Sequence, residues 1–133
     1  MRIIDEIINT RRAIYPKQFS GEKISKKIIL NILENGNMAP SHKLTQPWFF
    51  KIFCSSSKEN LANEMIKKYK ESSLDLKLND IKAKKIFDKC KLSEYIIAIC
   101  MRRDKNNSIP EWEEIASTAM AVQNMWLTCV SYE

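Results

Sequence analysis

A chain of 133 residues with 44% hydrophobic residues is long enough to bury one core and too short for several domains. We therefore expect a single domain over residues 1–133. The net charge of +6 favours anionic partners such as phosphates, dinucleotides or nucleic acid, but the lysines are spread through surface-type positions. A solvated surface explains them better, so a small basic nucleic-acid-binding domain is the weakest alternative.

Composition also argues against a membrane segment and a zinc site. The apolar runs are far shorter than the roughly 20 residues that a membrane span needs, and Arg2, Asp5 and Glu6 stand where a signal peptide would be apolar. We expect a cytoplasmic protein. Four cysteines without a Cys-x-x-Cys pair accompany one histidine, which predicts buried, reduced thiols and no zinc site.

The chain contains only two glycines, Gly21 and Gly36. The Rossmann fingerprint and the P-loop both need several closely spaced glycines, so that backbone N–H groups can reach a phosphate. Both motifs are therefore excluded. A bound phosphate must be held largely by side chains, and arginine is the side chain whose geometry suits this task.

Isoleucines at helical spacing predict a first helix over residues 2–9, which Arg11 and Arg12 follow directly. A second helix is expected after Ser25 as N-cap, fading around residues 35–36. Its buried face comprises Ile28, Ile29, Ile32 and Leu33. A polar loop then runs from Pro40 to Pro47.

Aromatic and branched residues at 48–54 predict a first strand, and three serines supply a turn and a helix cap. Helices should fill 58–91, with a break at 72–73. Their apolar faces are marked by Leu61, Met65 and Tyr69, and by Ile81, Phe87 and Cys90. Residues 95–101 predict the second strand, and 102–108 a polar connection.

Pro110 is expected to open a long helix, with acidic residues in its first turn where negative charge suits the helix dipole. One face carries small and apolar side chains, at Ala116, Ala119, Met120, Gln123 and Leu127. This face predicts close packing against another helix or a second subunit.

Four separate segments, in this order, resemble the FMN-dependent nitroreductase family. They are Arg11-Arg12, the run Ala39-Pro40-Ser41 continuing to Gln46-Pro47-Trp48, the helix start at 109–114, and residues 121–125. The resemblance implies an α+β fold with a central, mostly antiparallel sheet flanked by helices and a long central helix at a dimer interface. It also implies that the chain corresponds to the N-terminal two-thirds of that fold, with the C-terminal strands absent.

The same resemblance assigns cofactor-binding residues. Arg11 and Arg12 correspond to arginines that hold the FMN phosphate, and Ala13 replaces a usual serine, which removes a donor worth about 1 kcal/mol. Lys17 is a substitute for a basic residue that often follows. Pro40, Ser41 and His42 correspond to a loop that reaches the flavin from the other subunit. Catalytic residues and those near the flavin N5 are not assigned, and no metal is expected.

The implied function is an FMN-dependent oxidoreductase, a homodimer with FMN at its interface. It would pass a hydride from NADH or NADPH through FMN to a nitroaromatic, quinone or similar acceptor. A non-catalytic or degenerate flavin-binding relative is the alternative, because Ala13 and the absent C-terminal third both depart from the family pattern.

Overall fold

The computed structural model describes residues 4–73 and 76–132. Five helices and two strands follow in the order α1 Ile4–Thr10, α2 Lys26–Asn37, β1 Trp48–Cys54, α3 Ser56–Ser72, α4 Leu76–Leu92, β2 Tyr95–Met101 and α5 Glu111–Val130. Short 3₁₀ turns lie at Pro16–Gln18 and His42–Leu44. The strands pair into a two-stranded antiparallel sheet, next to which the Arg102 N–H donates to the Pro47 carbonyl. The α+β prediction is confirmed.

The local signals in the sequence mark the helix ends well. The Ser25 hydroxyl accepts a hydrogen bond from the Ile28 N–H, as an N-cap should. The break between the two middle helices falls after Ser72, and Pro110 precedes the first residue of α5. The first helix was predicted over residues 2–9, and the part before Ile4 lies outside the described residues.

The chain divides into two compact units. The first unit contains α1, α2, α5 and the described residues of 1–13, 25–51 and 99–133. The second contains α3 and α4, within 14–24 and 52–98. The single domain expected over 1–133 stays a prediction.

In the first unit, α2 packs against α5. The two helices approach closely at Gly36, where a Cβ atom would lie 2.8 Å from the Met125 Cγ. Polar bonds cross the same interface, because the Asn35 side chain donates to the Thr128 hydroxyl at 2.9 Å and Asn124 donates to the Asn35 carbonyl at 3.2 Å. Asn124 therefore satisfies a backbone carbonyl in the last turn of the facing helix.

The face of α5 that packs inside the unit is not the face of small residues. Its buried positions recur every three or four residues, at Glu114, Ser117, Thr118, Ala121, Met125 and Thr128. Of the small-residue face, only Leu127 is half-buried and the rest is exposed, so this face does not supply the packing against α2. The choice between another helix and a second subunit stays a prediction. That face is largely exposed and also carries Trp112, Ile115 and Trp126. We call it the outer face of α5.

In the second unit, α3 and α4 pack against each other, and the buried side chains among the described residues are Ala62, Asn79 and Cys90. Met65 and Ile81, which mark the two predicted apolar faces, are exposed, whereas Ala62 is completely buried. The predicted apolar faces are therefore only partly buried.

The cysteines were all expected to be buried, and Cys90 is. Burial raises the pKa of the Cys90 thiol above its usual value, although the nearby Lys58 ammonium acts in the opposite direction. The prediction is wrong for Cys54 and Cys129, which are exposed, because Cys54 ends β1 and Cys129 lies on α5 between inward-facing neighbours. None of the four forms a disulfide. Among the described helices, none is long and apolar enough to cross a membrane.

Candidate functional site

Arg11 leaves the end of α1 and stacks on α5. Its guanidinium carbon lies 4.4 Å from the centroid of the Trp126 ring, within the range of a cation–π contact. The side chain makes no hydrogen bond or ion pair to another described residue, and it is half-buried. The stacking fixes the plane of the guanidinium and leaves its N–H donors available to a ligand.

Arg12 is placed differently. Its Nη1 donates to the Asn9 carbonyl at 2.9 Å and to the Arg11 carbonyl at 2.8 Å, so it satisfies backbone carbonyls at the C-terminal end of α1. Ala13 is exposed and offers no side-chain donor. Of the two arginines, Arg11 is therefore the one that is held in place with its donors uncommitted.

The loop that follows α2 is tied to the start of α5 by two side chains. The His42 Nδ1 lies 2.5 Å from the Glu113 Oε2, and the Lys43 ammonium donates to the Ser108 carbonyl at 3.0 Å. Inside the loop, the Ser41 hydroxyl accepts from the Gln46 N–H at 3.2 Å. These bonds hold Ser41 and His42 in one arrangement.

The same loop has an unusual backbone. Lys43, Leu44 and Gln46 all have positive φ, at 52°, 54° and 41°, a region that residues other than glycine rarely adopt. Leu44 is 82% exposed although it is apolar. Strained, well-tethered segments of this kind cluster at ligand sites and switch regions. At the far end of the loop, the buried Trp48 indole donates to the Asn37 side chain at 2.9 Å and fixes the start of β1.

All six predicted cofactor-binding residues lie in the first unit, in two groups. Arg11 is attached at Trp126 and His42 at Glu113. These two positions of α5 are about thirteen residues apart, and at about 1.5 Å per residue the separation along the helix is about 20 Å. One chain therefore does not bring the arginine pair and the Pro40-Ser41-His42 group together.

Glu114 is a feature that the sequence did not single out. It is completely buried, and its carboxylate accepts from the Arg103 Nε and, at 2.7 Å, from the Asp104 N–H. The Thr118 hydroxyl donates to its backbone carbonyl. The expectation placed Glu114 only in the acidic first turn of α5. Glu114 lies at helical spacing from Thr118, Ala121 and Met125, which are also buried, and this spacing could have shown that its side chain points inward.

Metal chemistry finds no support in the part of the chain that the structure describes. Within residues 4–73 and 76–132, no group of three or more His, Cys, Asp or Glu side chains is arranged to hold a metal ion. Acidic side chains in the first turn of α5 are engaged instead in ion pairs with Arg103 and in a hydrogen bond with His42.

The sequence matches the model of the nitroreductase family over residues 8–132, and the chain belongs to this family. A relative is the Bacillus subtilis protein named Putative NAD(P)H nitroreductase YfhC, which is 28% identical over 127 residues. The match covers 94% of this chain and 62% of that protein, so the chain spans less than two thirds of this relative.

Solved structures show the same fold. A nitroreductase-like family protein from Bacillus cereus superimposes with a TM-score of 0.83 at 21% identity, over 99% of this chain and 66% of that one. A nitroreductase from Bacteroides fragilis with bound FMN gives a TM-score of 0.73 at 23% identity, again over 99% and 66%. The predicted nitroreductase-like fold is therefore confirmed.

Proposed function

We propose that this protein is an FMN-dependent oxidoreductase that binds FMN at the interface of a homodimer. It would transfer a hydride from NADH or NADPH, through FMN, to a nitroaromatic, quinone or similar small acceptor. Support comes from the family membership and from the FMN held by the Bacteroides fragilis relative. The observation that carries the proposal is the placement of Arg11 and His42 at positions far apart along α5.

The outer face of α5 explains why two copies would be needed. Ala119 and Met120, both exposed, lie midway between Glu113 and Trp126. In a two-fold dimer each copy uses the same patch, so an axis passing near this midpoint would bring the His42 end of one copy to the Arg11 end of the other. Small residues there permit close approach, and Trp112, Ile115 and Trp126 supply the apolar area that an obligate interface buries.

The residues present fit FMN. Arg11 offers a planar, permanently charged donor set to the phosphate, and no glycine-rich cradle exists in the sequence that would otherwise hold it. Arg12 would add charge nearby while its Nη1 stays on the α1 carbonyls. From the second copy, the segment 40–42 would provide a rigid polar wall, and the exposed Leu44 an apolar contact.

When bound, FMN supplies the two-electron chemistry that no side chain here can perform. The role of this chain is to bind, orient and shield it. His42 would contact cofactor or substrate. Glu113 fixes the imidazole ring through the hydrogen bond at the His42 Nδ1, so that the His42 Nε2 is directed elsewhere. A hydride transfer to flavin needs no protein nucleophile, so we assign none.

The proposal is tested by measuring FMN and riboflavin affinity in the same variants. Losing one charged hydrogen-bonding partner costs on the order of 1.5–3 kcal/mol, or about a ten- to hundred-fold weakening. We expect this loss for FMN in Arg11→Ala, a smaller one in Arg12→Ala, and the largest in the double variant. Riboflavin, which lacks the phosphate, should bind the variants and the unmodified protein with similar affinity. The readout is quenching of flavin fluorescence.

Equal losses for both ligands would show that the arginines act through folding, and unchanged FMN binding would place the phosphate elsewhere. A monomer by light scattering that still binds FMN stoichiometrically would contradict the shared site. Bound FMN that neither NADH nor NADPH reduces would favour the flavin-binding, non-catalytic alternative. That alternative is supported by Ala13, which stands exposed without a side-chain donor.

A further inference from the structure

A cavity of the first unit is lined by neither residue of the arginine pair. It has a volume of about 330 Å³ and is formed where the Pro40 to Pro47 loop enters β1 and where the chain leaves β2. Thr45 and Phe49 line one side, and the charged run 102–105 lines the other. This run places four consecutive charged residues in one wall of the cavity.

Two of the four charged side chains are directed at the protein itself, one as an ion pair and one as a hydrogen-bonded carboxylate that keeps its negative charge. Arg103 pairs with the buried Glu114 and, at 3.2 Å, with Glu111. The Asp104 carboxylate accepts a hydrogen bond from the Ser108 N–H at 3.0 Å and is directed at its own loop. Arg102 and Lys105 remain, and neither forms an ion pair with a described residue.

Arg102 is also held in a fixed position. Its N–H donates to the Pro47 carbonyl at 2.8 Å, which fixes the backbone, and its guanidinium carbon lies 5.3 Å from the centroid of the Phe49 ring. Stacking on a ring leaves the edge of the guanidinium plane available. A planar fork of N–H donors that is already positioned loses little entropy when it binds an oxyanion in a bidentate manner.

Thr45 provides an independent observation. Its hydroxyl oxygen is inaccessible to solvent and has no hydrogen-bond partner among the described residues. A buried hydroxyl without a partner is costly, because it has lost its hydrogen bonds to water and gained none in the protein. Rotation about the Cα–Cβ bond exchanges the hydroxyl with the methyl group, and Thr45 lines the cavity. An acceptor bound in the cavity would favour the rotamer that gives this hydroxyl a partner.

We propose that this cavity binds the oxyanion group of a small ligand, a phosphate or a carboxylate, through Arg102, Lys105 and Thr45. The Arg102 fork supplies paired donors, Lys105 a second positive charge and Thr45 a hydroxyl. None of these three residues is assigned to FMN, whose phosphate we place on Arg11. Each proposal can therefore fail without the other.

The test titrates the protein with inorganic phosphate and with benzoate at constant ionic strength, followed by backbone amide NMR shifts. Constant ionic strength keeps the general attraction of a +6 chain for anions the same throughout the titration. We expect saturable shifts around the cavity for at least one ligand. Tighter binding of phosphate assigns the site to phosphate-bearing ligands, and tighter binding of benzoate assigns it to carboxylates.

Variants identify the side chains. Arg102→Met keeps an unbranched side chain over Phe49 but removes the charged fork, and we expect about tenfold weaker binding or more. Lys105→Met and Thr45→Val should each weaken binding by a few-fold. Lys84→Met is the matched control, because Lys84 is an exposed lysine of α4 in the second unit. The Lys84→Met variant should bind the anions with the same affinity as the unmodified protein.

Three outcomes would overturn the proposal. One is the absence of saturable shifts at the cavity with either ligand. Another is equal affinity of Arg102→Met and the unmodified protein. The third is a loss in Lys84→Met as large as that in Arg102→Met, because it would mean that the anions respond to total charge and not to this cavity.

Discussion

The two units differ most in what they bury. The first unit buries large apolar side chains together with polar ones, including Glu114 and Thr128, and its two main helices exchange hydrogen bonds. In the second unit, the described part of the α3 and α4 pair buries only small or medium side chains, and apolar residues such as Met65 and Ile81 stay outside. All six residues predicted to bind FMN belong to the first unit.

This difference has a physical reason. A ligand site needs side chains that are fixed before the ligand arrives, and buried, fully bonded polar groups provide such fixation. Glu114 holds the residues after β2, while Glu113 and Ser108 hold the loop after α2. A helix pair stabilised mainly by packing of small side chains does not provide comparable anchors. The contrast predicts that the first unit is far more sensitive to substitution.

The largest effect is expected for Glu114→Ala. Removing Glu114 takes away the buried partner of Arg103, leaving the exposed Glu111 as its ion-pair partner, and also removes the acceptor of the Asp104 N–H, so we expect a loss of about 3–5 kcal/mol in the free energy of unfolding. Urea unfolding measures it. Glu111→Ala is the control, because Glu111 pairs with the same Arg103 but is 58% exposed, and its loss should stay below about 1 kcal/mol. Similar losses in both variants would contradict the role assigned to Glu114.

A smaller effect on stability is expected when an isoleucine is replaced by alanine, once in each unit. Ile32→Ala in α2 removes a side chain that is 6% exposed and should lower the free energy of unfolding by about 2–4 kcal/mol. Ile81→Ala in α4 removes one that is 54% exposed and should change it by less than about 0.5 kcal/mol. Urea unfolding of both variants decides the comparison. A loss in Ile81→Ala that equals the loss in Ile32→Ala would show that the two units do not differ in packing.

The smallest effect concerns acid stability. Hydrogen bonds from the Ser108 backbone and side chain lower the pKa of the Asp104 carboxyl from its ordinary value of 3.8. A lowered folded-state pKa stabilises the protein above the unfolded pKa, and this contribution is lost as the pH falls below about 4 through the folded pKa. We expect Asp104→Asn to make unfolding stability less dependent on pH between about 2 and 5.

Ser108→Ala is the intermediate variant of the acid-stability test. It removes the hydroxyl that hydrogen-bonds Asp104 and keeps the backbone N–H that does the same. Its pH dependence should lie between those of the unmodified protein and Asp104→Asn. Urea midpoints measured across the acid range give the comparison. An Asp104→Asn curve parallel to that of the unmodified protein would show that this carboxyl does not contribute.

The sequence by itself determined the elements that depend on local physics. Helix caps, the proline before α5 and the β-branched run at 95–101 act on neighbouring residues, so Ser25, Pro110 and both strands lie where the pattern predicted. The four motifs also indicated the family, which the match over residues 8–132 confirms. The FMN-binding assignments remain predictions, because they concern a ligand and a second copy of the chain.

Only the tertiary structure decided which side chains face inward and which charges are already paired. The small and apolar residues at 116, 119 and 120 of α5 suggested a packed face, but the helix buries other positions, among them Met125, which lies close to Gly36 of α2. Adjacent arginines are equivalent in a sequence, yet Arg11 stacks on Trp126 while Arg12 returns to the end of α1. These outcomes depend on interactions between residues that lie far apart in the chain, such as Asn35 with Asn124, which no local pattern can encode.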